Sequence, residues 1–258
     1  MKRTVLVTGA GSGIGRASVQ LLRSRGHNVI TSDLSGADVN ADLSDPLERR
    51  KLAEEATRIC GGTLDGVVAA AGLSAFAPAR KVLAVNYFGV TEVLDMLRPL
   101  LATSSSPRVV AIASTAVFTP LPADPLLVDA MLAGDEESAL LLADRAAEFV
   151  SYPSSKKAVA LWVRKTAAAP NWGGQNILLN ALAPGRTNTP MIAELLATDE
   201  GRKSLDDATP MVLPRPYAEP SDIAYLVTNL LEMEPSIMVG QIIYADGGTD
   251  TIRRPDHV

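Results

Sequence analysis

The sequence predicts a doubly wound α/β fold of three layers, in which helices cover both faces of a parallel sheet. Short apolar runs with the character of strands alternate with helical stretches along the chain, which is the pattern of a parallel sheet with crossover helices. Hydrophobic residues make up 47% of the chain but aromatic residues only 4%, so we expect an aliphatic, alanine-rich core. A chain of 258 residues can bury one large core, and we expect a single domain over residues 1–258.

The composition excludes several classes of protein. A formal charge of -5 argues against nucleic acid or an anionic membrane as a partner. The single cysteine, Cys60, excludes an intrachain disulfide and a cysteine-built zinc site, and we expect no metal. The first apolar run breaks at Gly9, too early for a signal peptide, and no run is long enough to cross a membrane. We therefore expect a cytoplasmic protein with neither a nucleic-acid nor a membrane partner.

The chain opens with a predicted strand over 4–7, a glycine-rich turn over 8–15 and a helix that starts at Ile14 and ends near Gly26. The turn has the spacing GxxxGxG, with glycines at positions 9, 13 and 15. Glycines between a strand and a helix allow a sharp turn, the close approach of a diphosphate and tight packing of the helix. The helix N-terminus then attracts the anion. Neither GxGxxG nor a phosphate-loop lysine is present, so the pattern predicts a Rossmann-type dinucleotide site in a variant spacing, the alternative being a flexible loop that merely contains glycine.

The second strand is expected over 28–32, and it delivers Asp33 at its carboxyl edge, 18 residues after Gly15. A carboxylate there would accept hydrogen bonds from the adenosine ribose hydroxyls and repel a 2′-phosphate. We therefore predict NAD rather than NADP. The alternative is an acidic turn residue, because Asp38 and Asp42 lie nearby.

The remaining elements follow in order. Ser44 is expected to cap a helix that has Pro46 in its first turn and runs to Cys60, and Ser221 is expected to cap the last long helix. Further strands are expected over 65–72, 108–113, 176–183 and 241–245, and further helices over 81–100 and 152–169.

Two segments are expected to lie at the mouth of the ligand cleft. Residues from about 119 to 150 are predicted to form a helical insertion before Tyr152. Its second half carries an apolar stripe at helical spacing, formed by Ala139, Leu142, Ala143, Ala146 and Val150. The insertion could be a lid, a subunit contact or ordinary packing, and a subunit contact is slightly favoured. Residues 186–218 are rich in threonine and proline and are predicted to form a mobile loop over the site.

Four polar residues are candidates for chemistry. Tyr152 and Lys156 are four apart and share one helix face, where an ammonium would lower the pKa of the phenol from its usual value near 10. Ser114 ends a strand whose carboxyl edge faces the same cleft. Asn86 lies inside a predicted helix, where asparagine is unfavourable, so it needs a hydrogen-bond partner. Taken singly, each has a structural alternative: an exposed helical pair, a strand-end hydroxyl or a buried amide bonded to the backbone.

Together these motifs resemble the classical short-chain dehydrogenase/reductase family from Val5 to Gly248. The matching residues are the glycine turn, Asp33, Asp42-Leu43, Asn86, Ser114, Tyr152-(x3)-Lys156 and Pro184-Gly185-(x3)-Thr189. The resemblance implies a catalytic tetrad of Asn86, Ser114, Tyr152 and Lys156. Tyr152 would exchange a proton with the substrate oxygen, which Ser114 would orient. Lys156 would hold the nicotinamide ribose and tune Tyr152, and Asn86 would fix a water that relays protons.

The resemblance also implies a set of residues that bind NAD. Asp42 and Leu43 would frame the adenine, and Thr189 would bond the nicotinamide carboxamide. The full set expected from the motifs is Gly9, Ser12, Gly13, Ile14, Gly15, Asp33, Asp42, Leu43, Ala70, Gly72, Tyr152, Lys156, Pro184, Gly185, Thr187 and Thr189.

The sequence departs from the family pattern in two places. Ala69-Ala70-Ala71-Gly72 stands where the family usually has Asn-Asn-Ala-Gly, so asparagine contacts on the adenine side are missing. Ser114 and Tyr152 are 38 residues apart, more than in most members, and the insertion accounts for the excess. The insertion, the segment Val85-Asn86-Tyr87-Phe88-Gly89 and the ending from Asp246 to Pro255 are similar to the 3α-hydroxysteroid dehydrogenase/carbonyl reductase branch, which implies a steroid or other cyclic apolar substrate.

The leading hypothesis is an NAD-dependent oxidoreductase that interconverts a small-molecule secondary alcohol and a ketone. The family usually dimerises through helices equivalent to 81–101 and 152–169, so we expect a homodimer or homotetramer unless the insertion blocks that surface. An alternative from another class is an NAD(H)-binding regulatory protein on the same fold without turnover. A sugar epimerase is weaker, because little sequence remains after the last strand to bind the sugar.

Overall fold

The computed structural model describes residues 2–118 and 122–256. Over these residues, seven strands form one sheet in the order β3-β2-β1-β4-β5-β6-β7, and every neighbouring pair is parallel. The strands are β1 (Thr4–Thr8), β2 (Asn28–Asp33), β3 (Val39–Asn40), β4 (Gly66–Ala69), β5 (Arg108–Ile112), β6 (Leu178–Pro184) and β7 (Ile242–Ala245). The chain builds outward from β1 in one direction and from β4 in the other, so the strand order reverses between β1 and β4. Ligands of such sheets bind in the crevice at that reversal.

Helices cover both faces of the sheet. They are α1 (Gly13–Ser24), α2 (Pro46–Cys60), α3 (Ala79–Leu83), α4 (Gly89–Leu101), α5 (Pro125–Leu132), α6 (Glu136–Ala143), α7 (Ser151–Ala167), α8 (Ala193–Leu196), α9 (Asp199–Ala208), α10 (Pro220–Glu232) and α11 (Thr249–Arg253). Successive strand residues face opposite layers. In β1, Val5 and Val7 belong to the core formed with α1 and α10, whereas Leu6 belongs to the core formed with α2, α4 and α7. The predicted doubly wound fold of three layers is confirmed.

Both predicted helix caps are wrong. The cap of α2 is Asp45, whose side chain accepts from the N–H of Leu47 at 2.8 Å, while the Ser44 hydroxyl donates to Asp42. Glu219 caps α10 in a reciprocal capping box with Asp222, so Ser221 lies inside the first turn. In both helices the residue directly before the N-terminal proline takes the cap, because proline prefers the first helical position. The two-residue strand β3 was not predicted either, since it is too short to show a period.

The helix predicted over 81–100 is interrupted. A five-residue π-helical turn, Ala84–Phe88, separates α3 from α4 and is called the π-turn below. Asn86 lies at its centre and is fully buried. Such turns occur often at functional sites, because they redirect side chains within a helix.

The insertion packs against the body of the same chain. Leu127, Met131 and Ala139 of α5 and α6 are buried in the core that includes α7, and the N–H of Asp124 donates to the Ser154 hydroxyl at 2.8 Å. Of the predicted apolar stripe, Ala139 and Ala143 are buried, whereas Leu142, Ala146 and Val150 are partly buried against the core. Residues 119–121 of the predicted insertion lie outside the described residues.

Arg49 ties the insertion to the rest of the fold. Its guanidinium is fully buried, forms a two-bond ion pair with Glu136 of α6 at 2.6 and 2.8 Å, and contacts Glu92 of α4 at 2.9 Å. It also donates to the carbonyl of Leu43 at 2.7 Å and to that of Ala84 in the π-turn at 3.3 Å. One side chain therefore connects α2, α4, the π-turn and the insertion.

The segment 186–218 contains more regular structure than predicted. A short turn (Pro190–Ile192), α8 and α9 lie within it. Its two ends are joined where the N–H of Asn188 donates to Ala218 at 2.8 Å and the N–H of Ala218 donates to Arg186 at 3.0 Å. No helix in the described ranges is both long enough and apolar enough to cross a bilayer.

Candidate active site

The glycine turn has the geometry that its spacing predicts. Gly9 has φ +67°, and a Cβ there would lie 2.7 Å from the N atom of Ala71. A Cβ on Gly15 would lie 2.0 Å from the carbonyl oxygen of Gly9, so the first turn of α1 packs directly on the loop. Gly13 has φ +50°, and its backbone approaches Thr189, whose Cγ2 lies 3.2 Å from the position of a Cβ. Larger side chains are thus sterically excluded at positions 9 and 15.

The N-terminus of α1 opens at this turn. Ser12 is exposed and precedes the helix with an extended backbone, but its side chain does not cap it. Ile14 is partly buried against the core of α1 and α10. A twelve-residue helix whose first N–H groups receive no side-chain cap has the donors and the dipole to bind a diphosphate.

Asp33 lies directly beside the glycine turn. Its Oδ2 accepts from the N–H of Gly11 at 2.8 Å, and its Oδ1 accepts from that of Leu34 at 2.8 Å. These bonds fix a negative charge at the carboxyl end of β2, where the sequence predicts contact with the adenosine ribose.

The expected adenine wall follows β3. Asp42 accepts from the N–H and the hydroxyl of Ser44, and these hydrogen bonds lower the pKa of its carboxyl. Leu43 is buried, and its Cβ lies 3.0 Å from the position of a Cβ on Gly89. The hydrogen bond that Arg49 donates to the carbonyl of Leu43 therefore holds this wall in place.

Lys156 and Asn86 meet at Gly72. Lys156 is buried and donates from Nζ to the carbonyl of Ile112 at 2.9 Å, and burial lowers its pKa to about 8. A Cβ on Gly72 would lie 3.3 Å from Oδ1 of Asn86 and 3.5 Å from Nζ of Lys156. Asn86 accepts from the N–H of Leu73 at 2.7 Å and donates to its carbonyl at 3.0 Å. The main chain of Leu73 thus supplies hydrogen-bond partners that the sequence demands for Asn86.

Tyr152 and Ser114 complete the group. Burial raises the pKa of the Tyr152 phenol, and hydrogen bonding with the side chain of Ser114 has the smaller and opposite effect. Nζ of Lys156 lies 5.9 Å from the centre of the Tyr152 ring. The four predicted catalytic residues thus come from three parts of the fold, the π-turn (Asn86), the end of β5 (Ser114) and α7 (Tyr152 and Lys156), and lie around one end of the sheet.

Ser155 was not identified from the sequence. Its hydroxyl accepts from Nδ2 of Asn86 at 3.2 Å and donates to the carbonyl of Tyr152 at 2.7 Å. It therefore links two members of the tetrad. Its position three residues after Tyr152, on the same helix face, is the signal that could have found it.

The segment after β6 brings the other expected cofactor residues to the same edge. Pro184 ends β6, and a Cβ on Gly185 would lie 2.8 Å from Cα of Asp246. Thr187 is buried and donates to the carbonyl of Gly185 at 3.2 Å, while Thr189 contacts the glycine turn. Ala70 packs next to β4 on the side of α1. Apart from Tyr152 and Lys156 on α7, the predicted cofactor residues therefore lie at or after the carboxyl ends of the strands.

Comparisons with known proteins agree with this architecture. A family model described as short chain dehydrogenase matches residues 3–126, and one described as Enoyl-(Acyl carrier protein) reductase matches residues 138–250. The chain is 35% identical to the 3-alpha-hydroxysteroid dehydrogenase/carbonyl reductase of Comamonas testosteroni, covering 97% of this chain and 98% of the relative. It is 28% identical to the cis-4-hydroxycyclohexanecarboxylate dehydrogenase of Sinomonas cyclohexanicum, covering 96% of each.

A solved structure gives the same result. The 3-alpha-hydroxysteroid dehydrogenase from Pseudomonas sp. B-0831, crystallised as a complex with NADH, superposes with a TM-score of 0.91 at 36% identity, covering 99% of this chain and 100% of that one. The sheet order, the glycine turn and the matched length together lead to one conclusion: the chain belongs to the short-chain dehydrogenase family and is an oxidoreductase.

Proposed function

We propose that this protein is an NAD(H)-dependent oxidoreductase that interconverts a secondary alcohol and a ketone. The observation that carries the proposal is the buried ammonium of Lys156, which is bonded to the carbonyl of Ile112 and lies 5.9 Å from the centre of the Tyr152 ring, with the Ser114 hydroxyl acting on the pKa of the same phenol, at the sheet edge next to the glycine turn. A phenol, a hydroxyl and an ammonium in this arrangement suit proton exchange with a carbonyl or alcohol oxygen.

The protein's own groups move the proton and hold the reactants. NAD, when bound, supplies the hydride chemistry. In ketone reduction the Tyr152 hydroxyl gives its proton to the substrate oxygen, and in alcohol oxidation the phenolate takes it back. Ser114 donates a hydrogen bond to the same oxygen and orients it, while the ammonium of Lys156 stabilises the phenolate. Asn86 and Ser155 hold the backbone around Tyr152 in place. They also position the route along which the Tyr152 phenolate regains its proton.

NAD is the proposed cofactor because of Asp33. A fixed carboxylate at the end of β2 accepts from ribose hydroxyls, and it repels the phosphate that distinguishes NADP. Its bonds to two main-chain N–H groups leave it little freedom to move away from that phosphate.

The proposed substrate is a steroid or another cyclic apolar molecule. Two relatives carry names of enzymes for cyclic alcohols, a hydroxysteroid dehydrogenase and a hydroxycyclohexanecarboxylate dehydrogenase. Met191 in the segment over the site is exposed, and its methyl lies 4.0 Å from the position of a Cβ on Gly72, so the rim next to Lys156 is partly apolar. Apolar lining with a few polar groups is typical of small-molecule sites.

We further propose that the chain acts as one catalytic domain in a cytoplasmic homodimer or homotetramer. The insertion covers part of α7 within the same chain, so subunit contacts would use faces that it leaves open. Light scattering of the purified protein measures the mass directly, and a monomer would contradict this part of the proposal.

The substitution Tyr152→Phe tests the proposed reaction. The variant should bind NADH as the wild type does and lose about 10²–10⁴-fold in turnover of a secondary alcohol, because it lacks the transferable proton. Tyr225→Phe on the exposed face of α10 is the matched control and should keep full activity. If the wild type binds NADH but converts no alcohol or ketone, the regulatory alternative gains; near-normal turnover in Tyr152→Phe would refute the assigned role.

A further inference from the structure

Two phenylalanines remain exposed beside the candidate active site. Phe76, in the loop between β4 and α3, is 50% exposed, and Phe149, just before α7, is 42% exposed. Their ring centroids are 5.7 Å apart at an interplanar angle of 72°, an edge-to-face pair. Water contact of large aromatic rings is unfavourable, so two such rings held together at the surface offer a contact for an apolar ligand. We call them the aromatic pair.

The backbone of Phe149 supports this interpretation. Its φ is +66°, in the left-handed region that side chains other than glycine and asparagine rarely adopt. In the described chain the other non-glycine residue with positive φ is Asn176, which tolerates it. Strained residues persist where their surroundings fix them, and they cluster at functional sites. The strain here holds a ring in place that contributes little to the core.

Both rings are attached to parts of the candidate site. Phe149 precedes Tyr152 by three residues, in the segment that leads directly into α7. Phe76 follows Leu73, whose main-chain N–H and carbonyl are both bonded to Asn86, and Gly72 next to it approaches Lys156. The aromatic pair thus joins two chain segments. One segment contains Leu73, whose main chain bonds Asn86, and the other leads to the proton donor Tyr152.

We propose that the aromatic pair binds an apolar ring of the substrate, distal to the carbon that carries the reacting oxygen, and so selects multi-ring ketones and alcohols over small ones. The inference rests on the proposed function. A ring held against both phenylalanines removes their exposed faces from water, whereas a three-carbon ketone has no ring to place against them. The pair determines specificity and does not touch the reacting atoms.

The test compares a bicyclic with a small ketone. Phe76→Ala and Phe149→Ala are assayed for NADH-dependent reduction of 1-decalone and of acetone, and NADH binding is titrated by fluorescence. We expect kcat/KM for 1-decalone to fall about tenfold or more in each variant, because an apolar contact of this size is lost. The value for acetone and the Kd for NADH should stay within about twofold. Leu141→Asn, which removes an exposed apolar side chain from α6, is the matched control and should leave the ratio of the two ketones unchanged.

A second variant separates this role from a structural one. Phe149→Gly relieves the left-handed strain that Phe149→Ala retains, so it should melt at a higher temperature than Phe149→Ala. Both should lose the same preference for 1-decalone. If Phe149 served the fold alone, the more stable glycine variant would recover that preference, and this result would overturn the proposal.

The other possible results also test the proposed role of the aromatic pair. A ratio of 1-decalone to acetone that stays within about twofold of the wild type in both alanine variants excludes the aromatic pair from substrate binding. A change in mass by light scattering with an unchanged ratio shows a subunit contact instead. If the wild type reduces neither ketone, the proposed function fails separately, and calorimetric binding of 1-decalone to the NADH-saturated protein then tests the pair. Equal affinity of wild type and both variants in that titration rejects it.

Discussion

The ammonium of Lys156 donates a hydrogen bond to the main-chain carbonyl of Ile112, at 2.9 Å, at the carboxyl end of β5. Ser114 follows Ile112 by two residues. The strand that delivers the Ser114 hydroxyl therefore also anchors Lys156, and a long flexible side chain is held in one place between α7 and the sheet. The end of β5 thus positions two of the predicted catalytic residues, Ser114 and Lys156.

Burial of Lys156 predicts that stability depends on pH. The pKa of its ammonium falls from 10.5 in a free side chain to about 8 in the folded protein. Between these values the unfolded chain binds more protons than the folded one, so this group makes the free energy of unfolding rise with pH from about 8 to 10.5. Below pH 8 the cost of burying the charge is fully present. Lys156→Met should therefore be more stable than the wild type at pH 7, by on the order of 2 kcal/mol, and lose that advantage by about pH 10.

Urea unfolding at the two pH values measures this difference. Lys157→Met, at the exposed neighbouring position, is the control and should show no such pH-dependent gain. An equal difference between Lys156→Met and the wild type at both pH values would contradict the expectation.

Removal of the Ser114 hydroxyl should shift the pH profile of alcohol oxidation. Oxidation needs the phenolate of Tyr152, so the rate rises with pH. The hydrogen bond with Ser114 lowers the pKa of Tyr152, and Ser114→Ala should therefore move the rising limb of kcat/KM to higher pH and lower the maximal rate by about 10- to 100-fold. Ser138→Ala on the exposed face of α6 is the control. Superimposable profiles for Ser114→Ala and wild type would exclude the bond from catalysis.

Neutralising Asp33 should relax cofactor choice. Asp33→Asn keeps the size of the side chain but removes the charge that opposes a 2′-phosphate. We expect the ratio of kcat/KM for NAD over NADP to fall by about a hundredfold, which corresponds to about 3 kcal/mol of lost repulsion and ribose bonding. Asp38→Asn removes a nearby carboxylate that instead bonds Thr31, and it should leave the ratio unchanged. Should both variants behave alike, the selectivity would come from net charge and not from Asp33.

Loss of the Glu136 charge should weaken the fold through Arg49. Glu136→Gln leaves a fully buried guanidinium with Glu92 as its remaining carboxylate partner among the described residues. We expect a loss of about 2 kcal/mol in the free energy of unfolding, because a charge-assisted pair of bonds is removed. Glu137→Gln, its exposed neighbour, should change stability by less than about 0.5 kcal/mol. Similar denaturation midpoints for the two variants would show that Glu136 contributes no more than a surface charge.

Local pattern determined much of this protein. Short apolar runs, separated by helical stretches, predicted the strands, because a buried parallel strand needs a continuous apolar segment. The glycines at 9 and 15 were identified from spacing, since a turn between strand and helix leaves no room for a side chain there. Asp33 and Ser114 were found because each stands at the end of a strand. Tyr152 and Lys156 were found because they are one helical turn apart.

Contacts between distant residues decided the rest. Arg49 and Glu136 are 87 positions apart, and Asn86 and Ser155 are 69 apart, so no local period relates them. The π-turn, the bond between Lys156 and Ile112 and the edge-to-face contact of Phe76 with Phe149 likewise exist only after the layers have packed. The sequence determined by itself which elements form and which polar side chains reach the carboxyl edge of the sheet, because hydrophobic period and glycine sterics act over a few residues. Only the tertiary structure decided what holds those side chains and what surrounds them, because burial, ion pairing and aromatic contact depend on segments that the chain brings together when it folds.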